Sequence, residues 1–186
     1  MGRLVRLSLN LWMMTMMSRI KVVSLCCGLL ITLFALCLAS NVQEIKPSKG
    51  IGAYSLDAKI NDLKVIAAPS FKKDLPNGDV ILKYDKLGLL VQYRNADGAI
   101  QFIGISKHQD DDREYSTQDG IHVGMSRERV EKVMGLPSAI VPVTSKDVYP
   151  DSKELAIYKD QGISFHYNSI GDVVWIMVFK PSLFKK

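Results

Sequence analysis

The strongest constraint on the fold of this chain is an internal duplication. Residues 84–107 and residues 158–180 repeat one pattern of aromatic, apolar and glycine positions. When the two segments are aligned with one residue dropped at the turn, the matched pairs are Tyr84 and Tyr158, Gly88 and Gly162, Tyr93 and Tyr167, Gly98 and Gly171, Phe102 and Trp175, and Ile105 and Val178. Because repeated sequence segments form repeated structural units, the chain is predicted to contain two related halves.

The first 40 residues have the composition of a targeting segment. The stretch 22–39 carries no charge, follows Arg19 and Lys21, and ends in small residues. This arrangement is typical of a secretory signal peptide, which we expect to be removed near Ala39 or Ser40. The apolar stretch is also long enough to leave an uncleaved membrane anchor open.

Two further features of this leader bear on its processing. A start at Met16 would give a conventional short leader, so the residues before it are interpreted as a mis-assigned extension. Lipidation of Cys37 stays open, although the bulky Leu36 before it argues against that modification.

Charge and cysteine content narrow the possible partners. All three cysteines and four basic residues lie in the leader, which leaves 20 basic and 19 acidic residues beyond it, a net charge of +1. Disulfides and thiolate metal sites are therefore excluded from the exported part. No nucleic-acid partner is predicted, because that would require Lys and Arg clustered on one face.

The rest of the chain is divided by its polar stretches. Residues 41–49 are predicted to form a tether, 50–107 the first repeat, 108–118 an exposed linker with a run of three aspartates, and 119–186 the second repeat. The predicted fold class is α+β. Each repeat is expected to pack one or two short helices on an antiparallel meander of three to four strands.

The helices and strands follow from apolar spacing. Leu56, Ile60 and Leu63 share one face of a predicted helix at 55–63, and a second helix at 126–134 is predicted to begin after Ser126 and end at Gly135. Strands are predicted at 80–84, 89–94, 99–106, 154–158, 163–167 and 172–179, with an extended segment at 139–143.

The second repeat resembles a known family. Its Gly124-Met125-Ser126 followed by Glu128, Val130, Gly135 and Pro137 is similar to the helix motif of the SmpA/OmlA (BamE-like) domain, and the strands containing Tyr158, Gly162 and Gly171 are similar to those that follow it. The resemblance covers nearly all of 120–180 and extends weakly over 50–107. It implies tandem units forming one curved sheet, as in the β-lactamase-inhibitor proteins, and proteins of this kind serve as assembly factors or inhibitors.

Side-chain alternation indicates where a partner would bind. Ser164 and His166 lie opposite Ile163 and Phe165, so one sheet face is expected to be solvated. The final strand of each copy is apolar on both faces, which indicates either contact between the repeats or an exposed binding strip. The residues predicted to bind a partner are Trp175, Phe102, Tyr167, Tyr93 and His166.

No pattern predicts chemistry. The three histidines lack metal-ligand spacing, no serine lies in a nucleophile elbow, and no pair of acids is singled out. We therefore predict no catalytic, cofactor or metal residues. The chain is interpreted as an exported periplasmic or envelope protein that binds a protein partner through its sheet face. A membrane-anchored structural protein and a hydrolase are the alternatives.

Overall fold

The computed structural model describes residues 42–63, 68–107 and 114–184. The expected signal peptide at 1–40, His108 and the aspartate run 110–112 lie outside the described residues. Residues 41–186 form one compact unit. Within the described ranges, no helix is both long enough and apolar enough to span a bilayer.

Twelve β-strands and one α-helix make up the regular structure of the described residues, with three short 3₁₀ turns. In chain order these elements are β1 (Val42–Lys46), β2 (Gly50–Ile51), β3 (Tyr54–Ser55), β4 (Phe71–Asp74), β5 (Asp79–Tyr84), β6 (Leu89–Arg94), β7 (Ile100–Ser106), β8 (Glu114–Thr117), α1 (Arg127–Met134), β9 (Ala139–Pro142), β10 (Glu154–Tyr158), β11 (Ile163–Tyr167) and β12 (Val173–Phe179). The α+β prediction is therefore wrong, because the fold is mostly β and helices do not pack on each meander.

The helix predicted at 55–63 accounts for much of this difference. Only a 3₁₀ turn, Ile60–Asp62, is present there. The segment is too short to be a stable helix by itself, so tertiary contacts decide its conformation. Ile60 N–H donates to the carbonyl of Gly98 at 2.9 Å, and this bond holds the backbone at Ile60 against the β6–β7 hairpin. In the second copy, α1 forms as predicted between Ser126 and Gly135.

Both copies contribute to a single eight-stranded sheet with the order β4-β5-β6-β7-β12-β11-β10-β9. Every neighbouring pair in it is antiparallel. The two meanders meet where β7 pairs with β12, in a register that sets Ile105 opposite Ile176. The two strands that are apolar on both faces are therefore central, and the contact between repeats is the correct interpretation of their pattern.

A second, four-stranded sheet has the order β3-β2-β1-β8, with β1 and β8 parallel. Its strands β1 and β8 come from segments that the sequence assigned to the tether and to the end of the linker. Ile45 of β1 and Ile51 of β2 are 1% and 0% exposed, and both join the core formed against the larger sheet.

The large sheet has a core face and an outer face. The core face packs on the small sheet and on Val130 of α1, and it carries most of the buried apolar side chains. The outer face carries a smaller apolar cluster, centred on Leu90, Trp175 and Met177. Val148, from the connection between β9 and β10, covers this cluster and is 1% exposed. The middle of the outer face is thus covered, and Ser164 and His166, which were expected on a solvated face, are 3% and 2% exposed, so that expectation is wrong.

Candidate functional site: a cleft on the outer face

The connection at 143–153, called the strap below, covers the middle of the outer face. Its ends are held together where Val143 N–H donates to the carbonyl of Lys153 at 2.9 Å. Asp147 pairs with Lys73 of β4, at the far edge of the sheet. The Lys73 ammonium holds the pKa of Asp147 below its ordinary value. The strap therefore reaches across the outer face from β10 to β4.

His166 of β11 lies beneath the strap. Its ring centroid is 4.3 Å from that of Tyr149, and its Nδ1 is 3.0 Å from the hydroxyl oxygen of Ser152. His166 is 2% exposed, and its Nε2 has no hydrogen-bond partner in the described structure. Burial lowers the pKa of His166 to about 4, because the charged imidazolium would lose its hydration there.

The Ser152–His166 contact has the composition of a nucleophile–base pair, but it is buried and inaccessible to a substrate. Ser152 is 0% exposed, and Tyr149, whose pKa is raised by burial, covers the imidazole. A substrate carbonyl would have to lie within about 3 Å of a nucleophilic oxygen, which the strap prevents in this conformation. The contact therefore holds the strap on the sheet.

An open cleft of about 560 Å³ lies beside the strap, at the end of the sheet where β5, β7 and β11 finish and β12 begins. Its size falls within the range of about 300–1,000 Å³ typical of ligand sites. The charged side chains that line it are Lys83, Asp85, Lys107, Asp151 and Asp172, and Asn168 and Trp175 complete the wall.

Trp175 gives the cleft a fixed apolar wall. The residue is 5% exposed, and Tyr149 packs edge-on against its ring at 5.8 Å between centroids. Gly104 on the neighbouring strand lies beneath this wall, where an added Cβ atom would crowd Met177 at 3.1 Å and touch the indole at 3.6 Å. Lys83 Nζ lies 5.8 Å from the indole centroid, within reach of a cation–π interaction.

Lys83 is also paired with a carboxylate. Its Nζ is 2.9 Å from Asp85 Oδ1. Hydrogen bonding from Ser70 and from Lys83 lowers the pKa of Asp85. Lys83 is thus held between a carboxylate and an indole at the mouth of the cleft.

The five residues predicted to bind a partner are divided between the two faces. Trp175, Phe102 and His166 lie on the outer face, whereas Tyr93 and Tyr167 pack with the core. Tyr167 is 1% exposed, and His166 is covered by the strap. The structure therefore does not bring the five together on one exposed surface. Trp175 is the member of the set that lines the cleft.

The environment of Tyr167 allows a direct test of its assignment to the core. Its hydroxyl is buried without a hydrogen-bond partner in the described structure, and burial raises its pKa. Because an unsatisfied buried hydroxyl is unfavourable, Tyr167→Phe is expected to leave the free energy of unfolding unchanged or to raise it by up to about 1 kcal/mol. Urea denaturation measures this difference.

Tyr158→Phe is the matched control for that substitution. The Tyr158 hydroxyl donates to the carbonyl of Gly135 at 3.1 Å, so its removal is expected to lower the free energy of unfolding by about 1 kcal/mol. A loss of stability in Tyr167→Phe equal to that in Tyr158→Phe would contradict the unpartnered state of the Tyr167 hydroxyl.

Sequence reasoning missed the charged residues of the cleft. Lys83 gave one local signal, as a charged residue inside the apolar strand Asp79–Tyr84. Asp151 and Asp172 lie in loops, and only the pairing of the two meanders brings them to the end of β5.

Two further observations concern the possibility of a metal site and the similarity of the chain to known proteins. Within the described ranges, no three His, Cys, Asp or Glu side chains are grouped so that they could hold a metal ion. Searches against protein-family models, curated proteins and solved structures gave no match.

Proposed function

We propose that the protein is an exported module of the bacterial envelope that binds a protein partner, as an assembly factor or an inhibitor does. The export of the chain is supported by the composition of residues 1–40. The partner is engaged through the cleft, which is the part of the outer sheet face that the strap leaves open.

One observation carries this proposal. The indole of Trp175, 5% exposed, forms part of the wall of a cleft in which Asp151, Asp172 and Lys107 have no ion-pair partner within the described structure, and the cleft is large enough for side chains of another protein. Because packing already holds the indole in place, contact with its exposed margin requires little further ordering of the wall. Asp172 is half-buried and Lys107 is exposed, so charged groups of a partner can reach both.

Site-specific photo-crosslinking in the intact envelope tests the proposal. A photoreactive residue placed at Lys107 or at Asp151 is expected to give a discrete crosslinked species. The same residue placed at Lys132, which lies on the exposed side of α1, is the matched control and is expected to give none.

The crosslink must also depend on the chemistry of the cleft. Asp172→Lys in the crosslinking background is expected to reduce its yield, whereas Asp160→Lys, in the β10–β11 turn, is expected to leave it unchanged. Crosslinks that are equally strong from Lys132, or that persist at full yield in Asp172→Lys, would overturn the proposal.

A further inference from the structure

The charges of the cleft do not balance. Lys83 and Asp85 neutralise each other at 2.9 Å. Of the remaining charged side chains that line the cleft, Asp151, Asp172 and Lys107 have no ion-pair partner within the described structure. Two free carboxylates therefore face one free ammonium group, which favours a ligand that carries positive charge.

Asp172 is the better placed of the two carboxylates. Its backbone is fixed, because its N–H donates to Asn168 Oδ1 at 2.9 Å and its carbonyl accepts the N–H of Asn168 at 3.0 Å. It also forms a bridge with Ser126, before α1. A half-buried carboxylate has already lost part of its hydration, and a rigid backbone leaves it little conformational freedom to lose. Pairing with a cation is therefore less unfavourable in both desolvation and ordering.

The indole of Trp175 does not compete for this cation. Lys83 already occupies a position over its ring, at 5.8 Å from the centroid. That position is therefore filled, and an incoming cation would be drawn to Asp151 and Asp172 instead. The apolar part of a long side chain can then lie along the exposed margin of the wall.

We propose that the partner inserts an arginine or lysine side chain into the cleft, where Asp172 and Asp151 bind it. This inference rests on the proposed function and specifies the chemistry of its partner. Arginine fits better than lysine, because a planar guanidinium can bond a carboxylate through two N–H groups. Lys107 would bind an acidic group elsewhere in the same segment.

Trp175 provides a direct readout of binding. The chain has two tryptophans, Trp12 and Trp175, so Trp12→Phe in the full chain leaves the indole of the cleft as the one fluorophore of its kind. The probes are the acetylated and amidated pentapeptide Gly-Arg-Gly-Arg-Gly and its citrulline counterpart, which has nearly the same shape without the charge.

The arginine peptide is expected to change the emission of Trp175 in a saturable manner and to bind about 10-fold more tightly than the citrulline peptide. Its affinity is expected to fall as salt is added. Asp172→Asn is expected to weaken its binding about 10-fold, and Asp160→Asn, outside the cleft, is expected to have less than about a 2-fold effect.

Three results would overturn the inference: no saturable change with the arginine peptide, equal affinity for the two peptides, or equal weakening by Asp172→Asn and Asp160→Asn. If any of these results were found together with cleft-dependent crosslinks at Lys107 and Asp151, the protein-binding function would still be supported. The partner would then bind through a group other than an arginine or lysine side chain. Binding of the peptide without such crosslinks would support the cation site and remove the support for a protein partner.

Discussion

Gly162→Ala is expected to lower the free energy of unfolding by about 3–5 kcal/mol, through backbone strain, overpacking and lost hydrogen bonds together. Gly162 has a φ of +69°, in the left-handed region that side chains disfavour. A Cβ atom there would lie 2.4 Å from the carbonyl oxygen of Phe179 and 2.2 Å from the hydroxyl oxygen of Ser48. The first of these is a backbone atom of a central strand, so β12 itself would have to move.

The same movement would disturb two further contacts. The carbonyl of Gly162 accepts the N–H of Phe179 at 2.9 Å and that of Ser48 at 3.2 Å. These bonds join the β10–β11 hairpin to β12 and to the turn between β1 and β2. Strain and steric overlap are therefore expected to affect both sheets in this variant.

Gly171→Ala distinguishes the effect of backbone strain from the effect of steric overlap by the added Cβ atom. Gly171 has a φ of +87°, but a Cβ atom there would meet nothing within 4 Å. Its substitution is expected to cost only the conformational term, about 1–2 kcal/mol. Urea denaturation of both variants measures the difference. Equal losses of stability in the two variants would show that the close approach at Gly162 does not contribute.

Acidification is expected to destabilise the protein through His166. Its pKa is about 4 in the folded protein and 6.5 for an ordinary histidine. Above pH 6.5 the imidazole is neutral in both states. As the pH falls from 6.5 towards 4, the unfolded chain takes up a proton that the folded protein does not bind, so stability falls by about 1.4 kcal/mol per pH unit, or roughly 3 kcal/mol across this window.

The groups that face the imidazole of His166 explain why the folded protein does not bind a proton there. From the strap these are the rings and hydroxyls of Tyr149 and Ser152, and from the neighbouring strands they are Trp175 and Leu155. None of these residues carries an anionic group at neutral pH that could stabilise an imidazolium. Lys146 donates to the carbonyl of Ser152, which adds a positive charge to the strap nearby.

His166→Phe keeps an aromatic ring under Tyr149 and removes the titration. Its free energy of unfolding, measured in urea between pH 7.5 and pH 4, is expected to vary less with pH than that of the unaltered protein. His122→Gln, at an exposed position, is the control and is expected to retain the full dependence. If His166→Phe loses as much stability on acidification as the unaltered protein, His166 is not the responsible group.

Asp85 responds in a separate, more acidic window. The pKa of Asp85 is lowered from 3.8 by hydrogen bonding from Ser70 and Lys83. A carboxyl whose folded pKa is lowered contributes stability above its unfolded value, and that contribution is lost as the pH falls below about 4. Loss of the Asp85 contribution therefore does not explain a slope between pH 6.5 and pH 4.

The strands of the two meanders were predictable from sequence because their side chains have a simple pattern. Apolar residues on both faces of 100–106 and 173–179 indicated either contact between the repeats or an exposed strip, and the first alternative is correct. The strands β6, β10 and β11 have the predicted bounds. Glycines mark the turns: Gly88, Gly98, Gly162 and Gly171 all have positive φ. Local sequence determines these features, so reasoning from local sequence recovers them.

Elements that depend on distant partners were not predictable in this way. The strand β8 is polar and becomes regular only through parallel pairing with β1. The strap has a polar sequence, and its inward residues, Val148, Tyr149 and Ser152, give no periodic signal. Because the strap decides which part of the outer face is open, the cleft could not be located from sequence.

The pairing of β7 with β12 has a consequence for the nascent chain. β7 contains no charged residue, and the edge that it turns away from β6 is paired by β12, which follows it by more than 60 residues. Uncharged apolar strand edges are templates for association with other chains. During synthesis, the first meander therefore exposes such an edge until β12 has been made, and a chain truncated before Val173 would keep it exposed. Premature termination late in translation should thus yield aggregating products, whereas the finished chain shields this edge within its own sheet.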